Sequence, residues 1–106
     1  MQLIICMIFI ANPAIAQNNL TKIKTVCLDA GHGGEDAGTV GVSGVYEKDL
    51  NLEIAEKLGE YFSNAGFGVV FTRRDDKLLY TEEENIKGYR KIYDLKNRVK
   101  ISNSYS

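Results

Sequence analysis

The chain has 106 residues, with 13 Lys and Arg against 14 Asp and Glu, one His and two Cys. A net charge of −1 gives no broad electrostatic pull toward nucleic acid or an anionic membrane, so neither is an expected partner. The length supports one small core and not two domains.

Residues 1–16 carry no charge, and 13 of them are apolar. The apolar run 3–11 is too short to span a bilayer as a helix. It suits the core of a secretory signal, and Ala14-Ile15-Ala16 supplies the small-x-small cleavage pattern, although the usual basic start is missing. We therefore expect a signal peptide over 1–16, a polar linker over 17–23 and one folded unit over 24–106. Export to the periplasm or the extracellular wall follows, with no stable membrane insertion once the signal is removed. Cys6 leaves with the signal and Cys27 remains alone, so no disulfide forms within the mature chain and Cys27 reads as core filler.

Residues 23–29 predict a strand bounded by Gly31. Six glycines between positions 31 and 44 make the next segment a long loop. Residues 47–65 predict a helix, with Leu50, Ile54, Leu58, Phe62 and Ala65 forming the apolar stripe and Ala55 and Tyr61 widening it. Glu47, Asp49 and Glu53 suit its positive end, and Gly66 is a natural residue after its last turn. Residues 68–73 predict a second buried strand. Strand, helix and strand in this order make a right-handed crossover with a parallel pair.

From 74 to 100 the composition changes, with 14 of 27 residues charged and both signs interspersed, which reads as a solvated surface. Thr81 and Glu84 have the spacing of a capping box, which predicts a short helical piece over 81–86 inside an exposed loop. A last helix over 92–103 shows a face marked by Leu95, Val99 and Ser102.

The glycine loop matches no phosphate-binding pattern. Gly33 to Gly38 is followed by Thr39-Val40 without a lysine, and Asp36 stands where a dinucleotide loop needs its third glycine. Glu35 and Asp36 would repel phosphates there. Imidazole and carboxylate are typical donors to catalytic zinc, which takes three protein groups and one water. His32 at the strand end and Glu47 at the helix start would face the same end of the sheet. On spacing alone, a hydrogen-bonded loop histidine and a dipole-partnering glutamate fit equally well.

The segments Leu28-Asp29-Ala30-Gly31-His32-Gly33-Gly34-Glu35-Asp36-Ala37-Gly38, Glu47-Lys48-Asp49-Leu50-Asn51-Leu52 and Phe71-Thr72-Arg73 occur in this order. Together they closely resemble the zinc-dependent N-acetylmuramoyl-L-alanine amidases of the amidase-3 type, bacterial cell-wall hydrolases. Leu95, Arg98 and Asn103 resemble that family's Leu-x-x-Arg helix ending near Asn. The resemblance spans about residues 24 to 103.

It implies an α/β fold, namely the N-terminal β-α-β portion of a mixed-sheet sandwich flanked by helices. It makes residues 24–106 an amidase catalytic domain, incomplete at its C-terminal side. It also implies Zn2+ held by His32 and Glu47, with Asp29, Asp36 and Arg73 as supporting or structural partners. The implied substrate is peptidoglycan, cleaved between N-acetylmuramic acid and the L-alanine of the stem peptide. The family's second histidine ligand and general base are expected beyond Ser106, since Glu82, Glu83 and Glu84 precede the strand concerned. No catalytic residue is therefore assigned within the chain, and the 106 residues alone are expected to be inactive and poorly folded. An activator protein is left open. The alternative is a non-catalytic wall-binding or partner-binding remnant of the same fold. The stretch between Asp76 and Leu95 is longer than the family leads one to expect. It reads as surface decoration or as an insertion offering Tyr80, Tyr89 and Tyr93 to the glycan.

Overall fold

Thr25, Val26, Cys27 and Leu28 form β1 (Thr25–Leu28), and the glycine-ended apolar run Gly68–Phe71 forms β2. The structure is a computed structural model describing residues 25–105. The signal peptide and linker expected before residue 24 lie outside them. The two strands pair in parallel, with Thr25 opposite Gly68 and Leu28 opposite Phe71. The Thr72 N–H donates to the Leu28 carbonyl at 3.0 Å and carries the pairing one step further. β1 stops at Leu28 and β2 at Phe71, one and two residues earlier than expected, and the expected start of β1 at 23 and 24 lies outside the described residues. Val69, Val70 and Phe71 are only half-buried. The mixed α/β fold is as expected: a two-stranded parallel sheet with two helices.

Helix α1 (Glu47–Asn64) makes the crossover. Its preceding residue, Tyr46, is extended and offers no side-chain cap. The glycine loop supplies the cap instead. Glu47 N–H donates to the Thr39 carbonyl at 2.9 Å and Lys48 N–H to the Ala37 carbonyl at 3.1 Å, so two of the first-turn donors are satisfied by the loop itself. The far end closes with a Schellman motif. Gly66, at φ +92°, donates to the Ser63 carbonyl, and Phe67 N–H reaches back to the Phe62 carbonyl. The Phe62 and Phe67 rings meet edge-to-face at 5.8 Å, adding the apolar contact that accompanies such ends.

The buried face of α1 differs from the expected stripe. Of the stripe residues Ala55 is buried and Ile54, Leu58 and Phe62 are half-buried, but Asn51 and Gly59 are buried beside them, whereas Leu50, Tyr61 and Ala65 are exposed. Small residues bring the helix axis close to the sheet. At Gly59 a Cβ would lie 2.4 Å from Phe71 Cζ, so the ring occupies the space that the missing side chain leaves. Leu28, Ala30 and Ala55 form the innermost core, with Val26, Leu52, Leu58, Phe62, Val69 and Phe71 packed around it.

No helix forms over 81–86. Thr81 N–H donates to Glu84 Oε2 and Glu84 N–H to Thr81 Oγ1, so both capping-box bonds exist around an isolated turn. Helix α2 (Arg90–Asn103) starts two residues earlier than expected. Its inward face is also different: Leu95 and Val99 are 52% and 58% exposed, while Asp94 and Arg98 are 0% and 5% exposed. The charge-rich segment is thus only partly a solvated surface. A buried ion pair attaches α2 to the end of β1.

Candidate functional site

The chain leaves β1 at Asp29 and turns at once. His32 has φ +64°, the left-handed region that non-glycine residues seldom occupy. Gly33 to Asp36 then close a tight turn, with reciprocal backbone bonds of 2.9 and 3.0 Å between the two residues. Gly33 is indispensable there: at φ +136° its Cβ would sit 2.2 Å from the Lys77 carbonyl oxygen. This turn folds Asp36 back against the ring of His32.

The imidazole is held at both nitrogens. Nδ1 lies 2.8 Å from Asp36 Oδ2, and Nε2 lies 3.2 Å from Glu47 Oε1. Glu47 is fixed in turn, because its Oε2 accepts from both the backbone N–H and the hydroxyl of Thr39, at 2.8 and 2.7 Å. Those Thr39 bonds, aided by His32, keep the Glu47 carboxyl below the usual glutamate range. Burial alone would raise the Asp36 carboxyl. Hydrogen bonds from Lys91 and His32 outweigh it and hold the pKa at about 2.

This arrangement has a clear chemical consequence. Neutral imidazole donates from one nitrogen and accepts at the other. With Nδ1–H donated to Asp36, Nε2 turns a lone pair toward Glu47 Oε1, which also only accepts. A cation, either a proton or a metal ion, satisfies both. A carboxylate on the far nitrogen is also how metal-bound histidines are usually oriented. Gly38 leaves room for the pair: a Cβ there would stand 2.8 Å from Glu47 Oε2 and 2.9 Å from His32 Cδ2. Among the described residues, no group of three or more His, Cys, Asp or Glu gathers as a metal set.

Around this pair lies a frame of buried polar groups. Arg73, 2% exposed, donates to the carbonyls of Ala30, Gly31, Lys48 and Asp75 at 2.8 to 3.0 Å. It ties the end of β2 to the loop and to the first turn of α1. Asp29 accepts from the Thr72 hydroxyl at 2.6 Å and from Arg98 Nη1 at 2.8 Å. The five positions singled out in the sequence therefore meet at one end of the sheet. Asp36 and Glu47 each touch His32, Asp29 joins Thr72 and Arg98 behind them, and Arg73 holds the backbone.

Sequence reasoning missed several members of this frame. Lys48 donates to the Gly34 carbonyl and to Asp76 Oδ2, while Asp76 Oδ1 accepts from Gly34 N–H. Asn51 donates to the Gly31 carbonyl. Its position one helical turn after Glu47 was the available signal, masked by counting only apolar residues on that face. Lys91 contacts Asp36, and Arg90 donates to Glu35 at 2.9 Å while its guanidinium lies over the Tyr80 ring. The first turn of α2 thus braces the glycine turn, and in the segment before it Leu78 is buried. Tyr80 and Tyr93 are half-buried and Tyr89 is exposed. Cys27 is half-buried, and burial pushes its thiol pKa up, in keeping with an inert side chain.

Comparison with known proteins matches this geometry to a family. The family model described as N-acetylmuramoyl-L-alanine amidase (Amidase_3) matches residues 26–106. The germination-specific N-acetylmuramoyl-L-alanine amidase of Bacillus subtilis is 44% identical over 82 residues, covering 76% of this chain and 33% of that protein. Among solved structures, the CwlD amidase of Clostridioides difficile in complex with the GerS lipoprotein is similar with a TM-score of 0.67. It is 45% identical, over 74% of this chain and 41% of that one. The catalytic domain of CwlV, an N-acetylmuramoyl-L-alanine amidase of Bacillus (Paenibacillus) polymyxa var. colistinus, gives a TM-score of 0.60. It is 37% identical, over 77% of this chain and 39% of that one. The chain spans about a third of the length of the curated relatives it matches. With this match over most of its length, and with β1 after its first residue, the glycine loop and the start of α1 inside it, the chain belongs to the N-acetylmuramoyl-L-alanine amidase (Amidase_3) family.

Proposed function

We propose that this chain carries part of the active site of a zinc-dependent peptidoglycan amidase. The scissile bond joins N-acetylmuramic acid to the L-alanine of the stem peptide, and the protein works in the cell wall after export. His32 Nε2 and Glu47 Oε1 are the two protein donors to zinc. The observation that carries this reading is the placement of His32 between two carboxylates, with Nδ1 2.8 Å from Asp36 Oδ2 and Nε2 3.2 Å from Glu47 Oε1.

Zinc, when bound, polarises the amide carbonyl and brings the pKa of its water toward neutrality. The rest follows from this chain's own side chains. Asp36 accepts a hydrogen bond from Nδ1–H, which fixes the tautomer and leaves Nε2 free to donate its lone pair. Thr39 holds one oxygen of Glu47 and so aims the other at the site. Lys48 and Asp76 clamp the turn that carries Asp36. Asp29, Thr72 and Arg73 keep the strand ends from spreading.

Two protein donors are fewer than the three a catalytic zinc usually takes, and no general base is assigned within the chain. The isolated chain is therefore expected to bind zinc weakly and to release no peptide from peptidoglycan. Equilibrium dialysis with zinc, paired with an assay for new L-alanine amino termini on purified peptidoglycan, tests both statements. Tight one-to-one zinc with turnover would refute the partial site. No zinc binding at all, in a chain whose fold is verified, would refute the donor assignment. The incomplete donor set also keeps a second reading alive, a wall-binding module without chemistry. Sedimentation with peptidoglycan that persists after chelation favours it.

A further inference from the structure

The left-handed backbone of His32 is the strained point of the site, and such conformations persist only where surrounding contacts over-determine them. The side chain has its two carboxylate partners. The backbone has a third hold, 66 residues away in sequence. Arg98 Nη2 donates to the His32 carbonyl at 2.6 Å, and Nη1 of the same guanidinium donates to the Ala30 carbonyl at 2.6 Å and to Asp29 at 2.8 Å. One planar group thus spans residues 29 to 32, the stretch between the end of β1 and the tight turn at Gly33 to Asp36.

We propose that Arg98 is a positioning residue for the metal site, acting through the backbone of His32. Its own orientation is set by Asp94. That side chain is 0% exposed, accepts from Arg98 Nε at 2.9 Å and uses its other oxygen to accept from Leu79 N–H at 2.8 Å. Burial works against the Arg98 charge, and the Asp94 and Asp29 carboxylates outweigh it and raise its pKa. The guanidinium therefore stays charged, with a fork geometry that lysine lacks. Leu95 and Val99 on the same helix are exposed, so apolar packing does not explain why α2 sits where it does. The Asp94–Arg98 pair does. It docks α2 on the end of β1 and spends its remaining donors on the histidine turn.

The inference rests on the zinc reading for its metal-binding consequence only. The test uses the full chain, labelled with nitrogen-15 and carbon-13, with zinc alone as the probe. The double variant Asp94→Leu/Arg98→Met removes both buried charges together, because removing one would leave the other uncompensated. In it, the His32 Cα and Cβ shifts and HN–Hα coupling should leave left-handed values. The resonances of Gly66 and Phe67 at the far end of α1 should stay in place. Zinc affinity by chelator competition should fall about 10- to 100-fold. A folded double variant that keeps the left-handed signature and binds zinc within about twofold of the parent overturns the proposal. If the double variant does not fold, Arg98→Lys carries the same two readouts, and full retention of both overturns the proposal equally. A parent chain that binds no zinc, yet whose His32 signature still depends on Arg98, sinks the zinc reading and leaves Arg98 as the positioning residue.

Discussion

Glu47 Oε1 stands 3.2 Å from His32 Nε2, and the helix that carries Glu47 is capped by the carbonyls of Ala37 and Thr39 from the loop that carries His32. Loop and helix therefore position each other. The loop supplies the missing helix cap, and the helix start supplies the loop with a carboxylate for Thr39 and for the imidazole. A change on either side of this exchange is expected to move both.

The most direct consequence concerns the carboxylate itself. Glu47→Gln keeps the shape of the side chain and removes its charge. Zinc affinity, measured by chelator competition, is expected to drop at least about tenfold. Unchanged affinity would remove Glu47 from the donor set.

Gly38 tests the space around the pair. At φ +67° an alanine is strained, and its Cβ would meet Glu47 Cβ at 2.8 Å. In a parent chain that unfolds cooperatively, Gly38→Ala is expected to cost about 1–3 kcal/mol in urea unfolding and to weaken zinc binding together with it. A midpoint equal to that of the parent protein would show that the loop gives way freely and that the tight fit plays no part.

Arg73 donates to four backbone carbonyls from a nearly sealed position. Lysine has the charge but cannot reach four acceptors from one nitrogen. Arg73→Lys is thus predicted to destabilise the fold by about 2–4 kcal/mol, from carbonyls left without partners. Chemical denaturation checks this, and a loss under about 1 kcal/mol would mean that other donors replace the guanidinium.

The clamp at Asp76 predicts a pH effect. The hydrogen bond from Lys48, then that from Gly34 N–H, holds the Asp76 carboxyl below the usual aspartate range. A carboxyl depressed in the folded state contributes stability that is fully present above its unfolded pKa, about 3.9, and is lost as the pH falls through the folded value. Thermal stability should therefore decline below about pH 4. Asp76→Asn should be less stable than the parent at pH 7 and should lose less on acidification. Because Asp76 is half exposed, solvent screens the pair and the effect is expected to be small. Parallel stability-versus-pH curves for the two proteins would rule it out.

The sheet end, the glycine loop and the helix start could all be read before any coordinates. Each rests on local chemistry: an apolar run stopped by glycine, six glycines close together, and acidic residues before an apolar period. The order of the motifs around His32, Glu47 and Thr72-Arg73 was enough to point to the family. Two expectations failed for different reasons. Thr81 and Glu84 formed both bonds of a capping box without a helix, since two reciprocal bonds close a turn but do not propagate one. The stripe expected on α1 included Ala55 but otherwise favoured large apolar residues, while the sheet also accepted Asn51 and Gly59, because a small-residue face allows the close approach that Phe71 fills.

The clearest division runs through α2. Its periodicity and length are local properties, and the helix formed as its sequence predicts. Which face turns inward is a global property. Leu95 and Val99 looked like the core face because hydrophobicity is counted residue by residue, without regard to what lies opposite. Asp94 and Arg98 were buried because the backbone leaving β1 offers the Ala30 and His32 carbonyls, which need donors, and a paired guanidinium satisfies both at once. The residue types at the site were legible from the sequence. The long-range hydrogen bonds that hold His32 in its strained turn come into being only when β1, α1 and α2 meet.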